Sequence, residues 1–277
     1  MKKLICIYTC EKDKKSLCNF KQTNLYNKLQ NDTNTRILEV YAGSNKTQIL
    51  ENKLLLKCEE DYASLSIKTF KMISECVRSI NFDVLIKIDC NIFEKNKLEN
   101  NNLNCEKNIY SILNSEYVTS NYGGSKLSFV DSEDSLVNWA NEKQIKLLLV
   151  SDINFNFPFF CGKFYFLSKE SCKVIANYKN KILAEKFKKN YGGVEDIFVS
   201  CCLSKNKDKM YYFLIFNEHI KSLKCSSNNE YIDYIKRKIK IKINIYKRDS
   251  ENCVLRPSFS KIEMDRQLKN LSENVLK

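Results

Sequence analysis

A chain of 277 residues has room for one large α/β domain with its own core, and at that size it needs no disulfide staples. Apolar residues at 43% and charged residues at 29% exclude wholesale disorder. Forty-six basic against 33 acidic residues leave a formal charge of +13, which suits nucleic acid, an anionic membrane or an anionic small ligand such as a nucleotide diphosphate and does not choose among them.

The basic residues are nearly all lysines set among asparagines, so compositional drift explains most of that charge equally well. The cysteine count of 13 is odd, Met1 to Cys10 is too short an apolar run for a signal anchor, and no stretch of about 18 uncharged apolar residues occurs. The expectation is a reduced, cytoplasmic protein without a transmembrane segment. With no Cys-x-x-Cys pair and one histidine, a finger-type zinc site is excluded.

In chain order, Leu4 to Tyr8 predicts a buried first strand, Lys15 to Gln30 a helix, and Arg36 to Tyr41 a second strand, a succession that points to a parallel sheet. Lys53 to Cys58 is a third strand candidate. Tyr62 to Ile80 carries Leu65, Ile67, Phe70, Ile73, Val77 and Ile80 at mostly helical spacing, which predicts a core-facing helix. Phe82 to Asp89 follows as an apolar strand that ends on the polar Asp89-Cys90-Asn91. Glu94 to Lys107 reads as a loop, Tyr122-Gly123-Gly124 as a turn, and Ser135 to Gln144 as a short helix around Trp139. An aromatic stretch from Phe155 to Ser168 is interrupted by Pro158 and Gly162. Lys169 to Lys189 looks helical, and Gly192-Gly193 breaks it before a further helix that begins near Glu195 and Asp196. Tyr211 to Phe216 is strand-like and precedes His219. Tyr231 to Arg248 alternates isoleucine with lysine, and Lys261 to Leu271 suits a short helix. No internal repeat is present. The organisation expected is one domain over 1–277, with its core at about 1–225 and a basic C-terminal extension at 226–277.

Three acidic or imidazole points carry potential chemistry. Asp89 and Asn91 close an apolar strand two positions apart, where both oxygens can turn to one hard cation, although an Asp at a strand end also serves as a turn former. Glu195-Asp196 is either a helix-opening acidic pair or a general base for an acceptor hydroxyl. His219 is the lone histidine, a metal ligand or an ordinary surface residue.

Taken together, these segments resemble the β-1,3-glycosyltransferases, the galactosyl- and N-acetylglucosaminyltransferase family with the Fringe-type enzymes. Asp61 to Thr69 (Asp-Tyr-Ala-Ser-Leu-Ser-Ile-Lys-Thr) is similar to the family's D-x-Y-x-N-L-T-x-K-T, and Lys87-Ile88-Asp89-Cys90-Asn91 falls where it has K-x-D-D-D. Phe157 to Ser168 is similar to Y-P-x-Y-x-x-G-x-x-Y-x-L-S, and Val194 to Leu203 resembles x-E-D-V-x-x-G-x-C-L. The resemblance covers roughly Tyr62 to Leu203. It implies a GT-A fold, a single α/β domain around a mostly parallel sheet flanked by helices, and inverting transfer of a sugar from a nucleotide-sugar donor, a UDP-sugar, to a glycan or lipid-linked acceptor.

By position, the resemblance implies that Asp89 and Asn91 face a divalent metal, manganese, that holds the donor diphosphate, with His219 as the downstream ligand. Asp196 would be the base, with Glu195 the second candidate. Thr9 would lie where the nucleotide rests, and Lys68, Lys87 and Asp89 would line the donor, though either lysine could equally be a solvated one. The sequence departs from the pattern at Cys90 and Asn91, which replace two acids, so metal binding is expected to be weaker. That departure motivates an alternative, a catalytically silent domain of this fold that binds a sugar or a partner. The lysine-rich Lys236 to Arg248 brings no recognisable nucleic-acid module, so nucleic acid is not an expected partner, and peripheral contact with an anionic membrane is the other use for it.

Overall fold

In the computed structural model of the chain, the residues described are 1–92, 109–110, 113, 122–124, 127–129 and 158–204. The first strand, β1 (Lys3–Tyr8), runs parallel to β2 (Thr35–Tyr41) on one side and to β5 (Val84–Asp89) on the other. Beyond β2 lies β4 (Lys53–Leu55), also parallel, and β3 (Gln48–Leu50) pairs antiparallel with β4 at that edge. Beyond β5 come two antiparallel strands, β9 (Phe164–Ser168) and β6 (Tyr122–Gly124), which complete a seven-stranded sheet ordered β3-β4-β2-β1-β5-β9-β6. A separate ribbon joins β7 (Leu127–Phe129) to β8 (Pro158–Phe160). The class is mixed α/β, with a parallel block of four strands and antiparallel strands at both flanks.

Strand alternation sorts the side chains into two cores. Leu4, Cys6 and Tyr8 of β1 share one face with Leu85 of β5 and Tyr165 and Leu167 of β9, while Ile5, Ile7, Val84, Ile86, Ile88, Phe164 and Phe166 face the other way. The second face is covered by α1 (Lys14–Lys21) and α2 (Asn24–Gln30) through Leu17, Phe20, Leu25 and Leu29. The first is covered by α3 (Leu65–Ser79), α4 (Lys169–Ile175), α5 (Tyr178–Asn190) and α6 (Glu195–Ser204). Near-complete burial of large apolar side chains on both faces, each contributing about 1.5–3 kcal/mol, explains why β1 and β5 read as continuous apolar runs.

Three local expectations need correction. The single helix from Lys15 to Gln30 is two, because Thr23 is extended and its hydroxyl accepts the Tyr26 N–H, capping a new helix. The helix from Lys169 to Lys189 is likewise split at Asn177, whose side chain accepts the Lys179 N–H. Tyr122-Gly123-Gly124 is an edge strand and not a turn. A Cβ at Gly123 would strike the Phe166 ring and one at Gly124 would lie 2.7 Å from the Phe164 carbonyl oxygen, so the glycines serve close sheet packing. The expectations for Glu94 to Lys107, Ser135 to Gln144, Tyr211 to Phe216, Tyr231 to Arg248 and Lys261 to Leu271 lie outside the described residues. Among the described residues no helix is long and apolar enough to cross a membrane.

The Gly192-Gly193 break is a left-handed turn, with φ of 57° and 68°. A Cβ at Gly193 would also collide with the Ala63 carbonyl, whereas Gly43, at φ 77°, has Glu60 Cβ 3.9 Å away. Urea unfolding is therefore expected to show a loss of about 1–2 kcal/mol for Gly43→Ala, the backbone cost alone. For Gly193→Ala the loss should be larger by at least about 2 kcal/mol. Equal losses would show that the α6 turn does not press on the chain before α3.

Candidate functional site

The chain leaves β1 toward β2 on one side, while β5 lies on the other, so the boundary between β1 and β5 is the topological switch point, where ligands gather at carboxyl ends of strands. Tyr8 pairs with Asp89 in that register, and the Cys90 N–H donates to the Tyr8 carbonyl at 3.0 Å. The two strand ends are thereby locked side by side.

Between them sits a buried ammonium. Lys87 is on the same face as Leu85 and is 1% exposed. Its Nζ donates to Asp89 Oδ1 at 2.5 Å and to the Gly162 carbonyl, and it is 2.6 Å from Glu195 Oε1. The rings of Tyr8 and Tyr165 flank it, with Nζ 4.5 and 5.7 Å from their centroids. Burial works against the ammonium's charge, but Asp89 and Glu195 outweigh it and hold Lys87 above the ordinary lysine range.

Glu195 and Asp196 open α6, where the helix dipole favours acids. Asp196 is half-buried. Its Oδ2 accepts the Gly162 N–H at 3.1 Å and its Oδ1 the Ile197 N–H at 2.9 Å. The turn between β8 and β9 is therefore held twice, with the Gly162 carbonyl on Lys87 and its N–H on Asp196. A side chain at Gly162 would put a Cβ 2.7 Å from Glu195 Oε1. Burial pushes the Glu195 carboxyl up, to about 7; the nearby Lys87 pulls the other way and Asp89 and Asp196 add to the rise. Burial also raises Asp196, against the hydrogen bonds it accepts from Ile197 and Gly162.

A second buried lysine stands beside the first. Lys68 of α3 donates to the Thr9 carbonyl at 2.9 Å and to Glu60 Oε1 at 2.7 Å, and its Nζ is 5.1 Å from the Tyr8 ring. The Tyr8 hydroxyl and Thr69 Oγ1 are hydrogen-bonded at 2.7 Å. Thr9, Lys68, Lys87, Asp89, Glu195 and Asp196 thus belong to one connected cluster. Both lysines turn inward to protein acceptors.

Asn91 is half-buried in the turn after β5, and His219 lies outside the described residues. Among the described residues no three His, Cys, Asp or Glu side chains form a group that could hold a metal. The Asp89 oxygen not engaged by Lys87 and the Asn91 amide are two hard oxygen donors. They fit the pattern in which an ion takes one or two protein ligands and completes its shell with water and substrate phosphates. Cys90 is not a donor of that kind, because burial pushes its thiol up to about 12 and keeps it protonated. Sequence reasoning missed Glu60, Gly162, Tyr8 and Tyr165. A lysine two positions after Leu85 on a strand buried on both faces was the signal that a counter-charge had to come from elsewhere.

No family model matches this chain. It is 28% identical over 239 residues to the trigger factor of Buchnera aphidicola subsp. Schizaphis graminum, an alignment that takes in 83% of this chain. The chain spans about half the length of that curated relative, 50%. Among solved structures it is similar to mouse xyloside xylosyltransferase 1 in its apo form, with a TM-score of 0.34 and 8% identity over 78% of this chain and 84% of that one. The fold and site define a mixed α/β protein with an acidic, lysine-bridged cluster at its switch point.

Removing Lys87 would leave the buried Glu195 and the part-exposed Asp89 without their shared cation, so Lys87→Met is expected to lower unfolding stability by about 3–5 kcal/mol at neutral pH. An unchanged urea midpoint would contradict the bridging role. A pH dependence follows from Glu195. Its folded value lies above the ordinary glutamate range, so the folded chain holds this proton more tightly than the unfolded chain. The contribution is complete below the ordinary value and is lost as pH rises toward about 7. Melting curves should show wild type losing stability relative to Glu195→Gln between about pH 5 and pH 8. A constant difference across that range would show that Glu195 titrates as an exposed glutamate does.

Proposed function

We propose that this chain is a glycosyltransferase that moves one sugar from a nucleotide-sugar donor, a UDP-sugar, to a hydroxyl of a glycan or lipid-linked acceptor, with inversion. The observation that carries this reading is the meeting of all four resemblance segments at the switch point. Lys68 comes from the first, Lys87 and Asp89 from the second, Gly162 from the third, and Glu195 and Asp196 from the fourth. These residues are spread over 128 positions of sequence, from Lys68 to Asp196, and unrelated chance matches would have no reason to converge on one cluster.

In this reading the donor diphosphate lies over the carboxyl ends of β1 and β5, with the nucleoside toward Thr9. The acceptor hydroxyl oxygen forms a bond to the anomeric carbon while the bond from that carbon to the diphosphate breaks, and the diphosphate leaves with the electron pair. Asp196 takes the hydroxyl proton: it is the more exposed of the two acids opening α6, and its raised proton affinity suits a general base better than an ordinary aspartate. Glu195, held against Lys87, orients the turn at Gly162 and is the second candidate for the base. Asp89 and Asn91 would hold a divalent ion such as manganese, whose charge offsets that of the departing diphosphate.

A silent sugar- or partner-binding domain is the second reading, favoured by one specific contact: Lys87 already neutralises one oxygen of Asp89. Turnover separates the two. With a panel of nucleotide sugars and manganese, the enzyme reading expects transfer or slow donor hydrolysis. Asp196→Asn should lower it about 10²–10⁴-fold while donor-induced thermal stabilisation is kept. Wild-type activity should fall as pH drops through the raised Asp196 value, since the base must be ionised. Stabilisation by a donor without turnover of any donor supports the silent sugar-binding domain, and no stabilisation by any nucleotide sugar contradicts the enzyme and leaves the partner-binding form of the second reading.

A further inference from the structure

Helix α5 turns Leu183, Ala184 and Phe187 into the core, and its other side carries Tyr178 at 71% and Ile182 at 62% exposure. These two are i, i+4 neighbours on one stripe, and Lys189 continues that stripe two turns on. Lys179 and Lys181 stand on either side of it, both exposed. None of these three lysines has a carboxylate partner among the described residues, whereas Lys188 of the same helix is paired with Glu59. Glu185, the helix's one acid, is exposed on the same stripe between Ile182 and Lys189, so the face sets three lysines against one carboxylate.

Single apolar side chains on a surface are ordinary. An aromatic and an isoleucine on the crest of a helix whose main apolar face is buried in the core, with long lysine stems beside them, suit a shallow contact with a membrane interface. A single-stranded nucleic acid could stack a base on Tyr178 but would leave the exposed Ile182 without a role, so the bilayer uses more of the face. We propose that the outer face of α5 is a docking surface for an anionic lipid bilayer, in which Tyr178 and Ile182 enter the headgroup layer and Lys179, Lys181 and Lys189 pair with lipid anions. The proposal does not depend on the sugar-transfer reading. It adds to it, because α5 runs through Tyr191 into the Gly192-Gly193 turn before Glu195, and Lys188 reaches Glu59, one residue from the Glu60 that holds Lys68. The C-terminal end of α5 thus leads into the turn that precedes the candidate site.

The test is co-sedimentation of the full chain with phosphatidylcholine vesicles, with and without about one-third phosphatidylserine, at about 0.1 M salt. Wild type should bind the anionic vesicles and not the neutral ones. A lysine at such a surface contributes about fivefold, so the triple variant Lys179→Gln, Lys181→Gln, Lys189→Gln should bind roughly 100-fold more weakly. Tyr178→Ser with Ile182→Ser should weaken binding by at least about tenfold. A control that removes the same charge elsewhere, Lys12→Gln, Lys15→Gln and Lys46→Gln, should stay within about threefold of wild type. All of these positions are exposed, and circular dichroism melting checks that each variant folds. The proposal is overturned if the control triple loses as much binding as the α5 triple, if neutral vesicles bind equally well, if neither vesicle binds, or if a short RNA is bound while vesicles are not.

Discussion

A lysine ammonium with 1% exposure cannot remain in a protein core unless its charge is answered, and in this chain the answer organises the site. Lys87 is placed in the core by strand alternation, since Leu85 before it and Asp89 after it share its face of β5. Asp89 alone would not complete the shell. The rest is recruited from distant sequence: the Glu195 carboxylate from the start of α6 and the Gly162 carbonyl from the turn between β8 and β9. One desolvated charge thus fixes how a strand, a helix terminus and a turn meet. The left-handed Gly192-Gly193 turn and the missing side chain at Gly162 are the steric conditions that let them approach.

This arrangement divides the acids by environment. Asp89 and Glu195 are held by Lys87, while among the described residues Asp196 receives backbone N–H groups alone and stays partly open. Two neighbouring residues at the start of one helix therefore differ in environment, which is how a fold separates a positioning carboxylate from one that can exchange protons. Lys68 repeats the principle a layer away. It ties the end of β1 at Thr9 to Glu60 and shares the Tyr8 ring with Lys87, so the mouth of the site is built from paired charges and not from a field of free lysines.

Much of the framework was legible because it depends on local pattern. β1, β2, β5 and the helix after Asp61 follow directly from apolar runs and helical spacing, and Gly192-Gly193 before Glu195 marked the start of α6. The helix splits at Thr23 and Asn177 were less visible, because the apolar period runs on through each cap. The edge strand at Tyr122–Gly124 was read as a turn, since two glycines look like a break until the Phe164 and Phe166 side of β9 is known. At the site, sequence placed Asp89 at a strand end and Asp196 at a helix start. It left open whether Lys68 and Lys87 were solvated. Their burial is a tertiary fact, decided by what α3 and α6 bring over the sheet, and Gly162 had no chemical signature because it acts through its backbone. His219 and the rest of the chain beyond Ser204 lie outside the described residues, so the third metal position rests on the sequence resemblance alone.

The central proposal is that the strand ends at Thr9 and Asp89 receive a nucleoside diphosphate while Lys87 keeps Asp89 and Glu195 together. An experimental structure grown with uridine diphosphate and manganese tests it directly. The account predicts the diphosphate over the carboxyl ends of β1 and β5, with the Lys87 ammonium still between its two carboxylates. A nucleotide bound elsewhere on the molecule, or Asp89 and Glu195 found apart with Lys87 turned to solvent, would contradict it.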